Sequence, residues 1–245
     1  MDYYIIIYII FGILPSLVWL LYYLREDVHP EPKKIILKIF LWGALITLPV
    51  FLVQIGLTKL LDIVDNEINM GPVASSLIYW FLIIAFSEEF FKYLVIRVKV
   101  INSSHLDEPL DIMLYMIIAA LGFAALENIL YLFAPIGQMS FGQMMGRTLV
   151  IDFIRFIGAT FLHTLCSAII GYSLAISFYE VKTKNISLVA GILMATLLHG
   201  LYDFSIMTLD GYIRLAIPVL VILTLAFFVF SGFEKLKQMK SICKI

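Results

Sequence analysis

The sequence predicts an all-α, polytopic membrane bundle of about seven transmembrane helices, and three observations carry that prediction. Of the 245 residues, 62% are hydrophobic and 14% charged, against about 45–50% and about 25% in soluble domains. Seven apolar stretches each reach the roughly 20 residues needed to cross a hydrocarbon core. The connections between them are too short to build a soluble domain. A mean hydropathy of +1.00 agrees.

Taken in order, the stretches lie near 3–24, 35–61, 73–98, 110–134, 148–179, 186–208 and 213–233. The first lacks a basic leader and a cleavage site, so it reads as a retained helix. Arg25–Lys34 separates it from the second, and Asp62–Pro72 ends the second. The third closes at Arg97–Lys99, the fourth opens after Pro109, and Pro135–Arg147 precedes the fifth. Lys182–Asn185 and the Asp210–Gly211 turn bound the sixth. Pro15, Pro49 and Pro218 fall inside spans, where kinks are expected and neighbouring helices can satisfy the freed carbonyls. Cys166 lies in a span and Cys243 in the basic tail, so neither a disulfide nor a zinc-finger spacing is expected.

Lysine and arginine set the orientation. Arg25, Lys33, Lys34, Lys38, Arg97, Lys99, Lys182, Lys184, Lys235, Lys237, Lys240 and Lys244 fall on one side, against Lys59, Arg147 and Arg214 on the other. Twelve against three places the N-terminus outside and the C-terminus in the cytoplasm. On that topology Glu88 and His163 each lie about 15 residues below the outer end of their spans. His199 lies about 13 residues above the inner end of its own. At about 1.5 Å per residue all three reach similar mid-membrane depths, which favours one shared site.

A charged side chain at mid-membrane costs about 2.5–3.5 kcal/mol on insertion scales, so Glu88 and Glu89 call for a function or a partner. Lys92 follows Glu88 by four residues and shares its helix face; Asp203 stands in the same relation to His199. Glu127 and Arg155 match in depth and are expected to form an ion pair, as much structural as catalytic. The bland reading has Lys92 neutralise one glutamate and each histidine bond a backbone carbonyl. Two adjacent carboxylates are an expensive brace, however, and the shared depth argues against two independent structural histidines. Asp111 and Asp152 read as interfacial or helix-terminal, and the aromatic residues as mostly lipid-facing or interfacial. Cys166 follows His163 by three, but buried thiols in apolar helices are usually inert. No Gly-x-Ser-x-Gly, His-Glu-x-x-His or phosphate-cradling loop occurs.

Glu88-Glu89-Phe-Phe-Lys92 resembles the Glu-Glu-x-x-Lys motif of the PrsW intramembrane proteases. Gly122-Phe123-Ala-Ala-Leu-Glu127-Asn128-Ile-Leu-Tyr131 is similar to that family's second block. His163 with Gly171, and Leu198-His199-Gly200-Leu-Tyr202-Asp203-Phe204, are similar to its third and fourth. The lead-in His105-Leu-Asp107-Glu108 and Asp111 also fits. The sequence departs from the pattern at Ile112 and Met116, where small glycines are expected. More distant relatives, the CAAX prenyl and bacteriocin-processing membrane proteases, carry asparagine where Asp203 stands.

The resemblance implies one integral-membrane protease domain over 1–245 with a catalytic core near 73–208, in a prokaryotic cell membrane. It also implies a single-span membrane substrate, an anti-sigma factor cut first on its extracytoplasmic side to start an envelope-stress response. No nucleic-acid partner is expected. The expected catalytic set is Glu88, Glu89, His163, His199 and Asp203, supported by Lys92, Glu127, Asn128 and Arg155. Glu88 is expected to activate a water held with His163, while His199, backed by Asp203, steadies the oxyanion. This favours metal-free chemistry; zinc held by Glu88, His163 and His199 is the alternative. A proton- or ion-coupled transporter is the rival of another class, with the lack of repeated halves against it.

Overall fold

The computed structural model of the chain describes residues 2–27, 29–101, 103, 106, 108–134, 140–179 and 184–239. His105, Asp107, Lys182, Lys240, Cys243 and Lys244, named above, lie outside them. The described residues hold α1 (Asp2–Tyr23), α2 (Lys33–Ile68) and α3 (Pro72–Leu77), a π-helical segment (Ile78–Phe86), then α4 (Ser87–Lys99) and α5 (Pro109–Leu132). α6 (Phe141–Ile157), α7 (Ala159–Tyr179), α8 (Lys184–Thr208) and α9 (Ile213–Lys237) complete the chain. Seven of the resulting helical stretches are long and apolar enough to cross a membrane, as expected.

The fifth span differs most from expectation. It begins at Phe141 instead of near 148 and is broken at Gly158, whose φ of −101° and ψ of −96° leave the helical region. Pro15, Pro49 and Pro218, by contrast, sit inside helices that continue through them. At the break the Trp19 indole donates to the Phe156 carbonyl (2.9 Å) and stacks on Phe161 with ring centroids 4.2 Å apart. This meets a carbonyl that the interrupted helix cannot satisfy itself. Several aromatic residues are thus structural instead of lipid-facing: Trp19 stitches α1 to the break, and buried Tyr23 bonds Thr164 of α7 (3.0 Å).

α5 is the central helix: 94% of its most apolar window is buried, against 17% for that of α1. It packs against α1, α2, α4, α6, α7 and α9. Its start is fixed by a capping box in which the Glu108 amide donates to Asp111 Oδ2 (2.7 Å), so Asp111 is helix-terminal as expected.

α2 and α5 cross backbone to backbone. A Cβ on Gly43 would fall on the Ala119 carbonyl, and one on Gly122 on the Phe40 carbonyl. With no hydrophobic drive between helices in lipid, such small-residue contact and its dispersion energy hold the crossing. On the other side of α5, Gly171 of α7 lies against Met113 and Met116. The small residue anticipated at Ile112 or Met116 is therefore supplied by the partner helix, and the two large side chains are fully buried there.

Replacing Gly122 with leucine should force α2 from α5 and cost about 1–3 kcal/mol, the usual range for overpacking. Gly56→Leu, at a position with open space around it, should be neutral. Thermal unfolding in detergent compares the two.

Candidate active site

The site is built where α4 begins. The π-helical segment ends at Phe86, and Ser87 Oγ donates back to the Ile83 carbonyl (2.6 Å). Non-α winding of this kind recurs at functional sites. Glu88 and Glu89 follow in the first turn of α4, with Lys92 one turn on.

Lys92 has no exposed surface. Its Nζ donates to Glu89 Oε1 and to His163 Nδ1, both at 2.8 Å, and stands 3.6 Å from Glu88 Oε2. It also lies over the Phe123 ring, 4.5 Å from the centroid. The Glu88–Lys92 spacing read from the sequence does bring the two together, but the closer partner is Glu89.

Each imidazole rests on a carboxylate. His163 Nε2 meets Glu127 Oε2 at 2.7 Å, and His199 Nδ1 meets Glu89 Oε1 at 2.9 Å. Protons assigned to those two nitrogens from their acceptors leave His163 Nδ1 and His199 Nε2 turned toward Glu88. They lie 3.8 and 3.9 Å from Glu88 Oε2. Asp203 does reach His199, as the spacing of four predicts, with Oδ2 3.3 Å from the inner nitrogen, while Glu89 holds the outer one. Ser167 Oγ donates to the second oxygen of Glu89 (3.2 Å).

Glu127 pairs with Arg155, as their matching depth predicts, and also meets His163. The oxygen that receives His163 also receives Arg155 Nη2 (2.8 Å). Arg155 Nε donates to Asn128 Oδ1, and its guanidinium stacks on Tyr131 at 4.1 Å. Asn128 Nδ2 donates to Thr160 Oγ1 (3.1 Å) and the Gly12 carbonyl (3.3 Å). The end of α6 is thus tied through α5 to the histidine of α7.

The centre is sealed at its floor and open on one side. Lys92 and Glu89 side chains are 0% exposed and the histidines 3%, whereas Glu127 is 20% and Asp203 23% exposed. Those two carboxylates form the mouth. Glu88, Glu89, Glu127 and Asp203 outnumber the fixed cations Lys92 and Arg155 by two, so two negative charges are left for protons or a divalent cation to balance.

The donor set fits a metal, provided that Lys92 Nζ gives up its 2.8 Å bond to His163 Nδ1. Glu88 Oε2 is buried with no hydrogen-bond partner, and it lies with one ligand atom from each histidine inside 4.8 Å of one another. The donors are zinc-type, and carboxylates behind both imidazoles are the usual outer support of metal-binding histidines. Glu89, Cys166 and His199 meet the same distance criterion, but there Glu89 Oε1 and His199 Nδ1 already bond each other.

All nine residues singled out from the sequence thus fall in one connected network. Gln54, Ser87, Thr160 and Ser167 were missed. Gln54 Nε2 donates to Glu88 Oε1 (3.2 Å) and Ser87 Oγ (3.3 Å). Its signal was legible: an amide at depth in an apolar span requires a partner.

Removing one member of the Glu127–Arg155 pair leaves a buried charge unpaired. Glu127→Gln or Arg155→Gln alone should destabilise by about 3–5 kcal/mol, and the double variant should lose less than the two singles together. Thermal unfolding of the four proteins measures the coupling.

A family model described as PrsW family intramembrane metalloprotease matches residues 31–231. The chain is 31% identical over 202 residues to the protease PrsW of Geobacillus kaustophilus, covering 82% of this chain and 80% of that protein. It is 29% identical over 233 residues to that of Bacillus subtilis, covering 94% of each. To that of Clostridioides difficile it is 28% identical over 200 residues, covering 80% and 77%. No solved structure matches. A match across most of the chain, with the buried carboxylate–histidine cluster inside it, makes this multi-pass membrane protein a member of the PrsW family of intramembrane proteases.

Proposed function

We propose that Glu88, His163 and His199 form the hydrolytic centre, that they hold a divalent metal, zinc by donor type, and that the substrate is a single-span membrane protein. The observation that carries this is the partnerless Glu88 Oε2 facing the inner nitrogens of two carboxylate-backed histidines. The surplus of two negative charges and the family's description as metalloproteases support the metal.

Such a metal would supply Lewis acidity toward the scissile carbonyl and a water able to attack near neutral pH. The chain's own residues do the rest. Glu127 and Glu89 hold the outer N–H of His163 and His199, so that both lone pairs turn inward. Asp203, part-exposed beside His199 Nε2, takes the proton of the attacking water and returns it to the leaving amine. Lys92 presents a fixed ammonium to negative charge developing at the centre. The substrate helix must unwind locally, because its carbonyls are otherwise bound along the helix.

The twelve-to-three asymmetry of lysine and arginine supports an outer N-terminus and a cytoplasmic C-terminus. In that orientation the mouth at Glu127 and Asp203 faces the outer half of the membrane. This suits a first, extracytoplasmic-side cut of an anti-sigma factor in an envelope-stress response, within one domain over 1–245 whose hydrolytic core runs from about 73 to 208.

One contact favours a second, metal-free reading. Lys92 Nζ fills the lone pair of His163 Nδ1 at 2.8 Å, which leaves Glu88 as base for a water and His199, protonated between Glu89 and Asp203, as oxyanion donor. Metal on His163 would displace Lys92 toward Glu89.

The deciding experiment co-expresses a tagged single-span anti-sigma reporter with wild type, Glu88→Gln, His163→Ala and His199→Ala. Each variant should lose cleavage by about a hundredfold or more. Purified wild type should hold zinc and stop cutting when stripped by a chelator, and the three variants should purify with less zinc. Cutting that survives complete zinc removal would establish the metal-free reading. Undiminished cutting by Glu88→Gln would refute the site.

A further inference from the structure

We infer that Gln54 is a positioning residue for the hydrolytic centre: from the lipid-facing half of α2 it holds Glu88 Oε1, so that Oε2 alone faces His163 and His199. The inference rests on Glu88 working at the centre as proposed above, as a metal ligand in the first version of the mechanism or as the base in the second.

α2 changes character at its middle. Ile35, Ile39, Gly43, Thr47 and Val50 are buried against the bundle, and none of its residues after Val50 is buried. Phe51, Leu52, Val53 and Ile55 around Gln54 are exposed. Gln54 is half-buried amid this apolar surface, and an amide there is costly unless it is bonded. Its bonds all run to the start of α4. Nε2 donates to Glu88 Oε1 (3.2 Å) and to Ser87 Oγ (3.3 Å), and Ser87 Oγ donates onward to Ile83 (2.6 Å). The amide nitrogen is assigned to this side because a carboxylate accepts and cannot donate.

The two oxygens of Glu88 are chemically equivalent until something distinguishes them. The terminal torsion of a glutamate is broad and roughly two-fold, so a free carboxylate exchanges its oxygens and samples many tilts. Gln54 removes that freedom. Oε1 has a donor outside the site, and Oε2, buried without one, stands nearly equidistant from the two imidazoles at 3.8 and 3.9 Å. Lys92, 3.6 Å from Oε2, lies on the site side and cannot do this work. Tethering α2 is the alternative role, and it predicts lost stability with unchanged turnover.

The test measures kcat and KM on a single-helix reporter tagged on both sides of the membrane. Zinc affinity by chelator competition and thermal unfolding accompany it, for wild type, Glu88→Gln, Gln54→Leu and Gln54→Met. Gln54→Leu should stay folded, keep KM within about twofold, and lose about 10–100-fold in kcat and in zinc affinity, the usual effect of losing an outer-shell partner. Gln54→Met, similar in length and without any donor, should fall as far. It decides alone if Gln54→Leu does not fold. In a Glu88→Gln background, Gln54→Leu should lower zinc affinity no further. If wild type holds no zinc, kcat and KM carry the test.

A kcat within about twofold of wild type, a raised KM with kcat unchanged, or wild-type turnover by Gln54→Met would each overturn the inference. An inactive Glu88→Gln beside a fully active Gln54→Leu sinks the inference alone. An active Glu88→Gln sinks the reading of the site and the inference with it.

Discussion

The side-chain ammonium of Lys92, with no exposed surface inside a membrane-length helix, is the constraint around which the centre is arranged. A charge so placed persists only where opposite charge and hydrogen-bond acceptors surround it. Glu89 supplies the nearest carboxylate, His163 a lone pair, Glu88 a second carboxylate and Phe123 an aromatic face. Those four residues lie on three helices, α4, α5 and α7. Satisfying one ammonium therefore fixes how the three meet, and Glu89 extends the arrangement to α8 through His199.

Rigidity at the centre comes from repetition of one device: an imidazole held on its outer edge by a glutamate that is itself held. Ser167 and Lys92 hold Glu89, and Arg155 holds Glu127. Arg155 in turn leans on Asn128 and Tyr131, which belong to α5. Nearly every polar atom at the floor is hydrogen-bonded, so the Glu88 oxygen that makes only longer ion-pair contacts stands out against a satisfied background. The close α2–α5 crossing at Gly43 and Gly122 belongs to the same design, since it brings α2 near enough for Gln54 to reach Glu88.

The sequence made the spans and the principal site residues legible for one reason. Lipid forbids unpaired polar groups, so Glu88, Glu89, His163 and His199 stand out wherever they occur. Depth counting then joined them, because helical rise is constant. Counting could not show which atom meets which. Asp203 follows His199 by four, and that spacing says nothing of which imidazole nitrogen it faces. The break at Gly158 was hidden because both flanks are apolar and helical, and its carbonyl is met by Trp19, remote in sequence. Gln54 stands out among its apolar neighbours in the same way, but its partner lies on another helix, so spacing could not name it.

The partly exposed pair at the mouth has one more consequence. Glu127 precedes the end of α5 by five residues, and Asp203 precedes the end of α8 by the same number. Both helices run in the same direction through the bundle, so at about 1.5 Å per residue the two carboxylates sit about 8 Å short of their helix ends on one side of it. His199 lies about 6 Å deeper. If the centre hydrolyses as proposed, a substrate helix that slides by one turn would offer a different peptide bond to the same atoms, so the register at which its flanks anchor would help to select the cleaved bond.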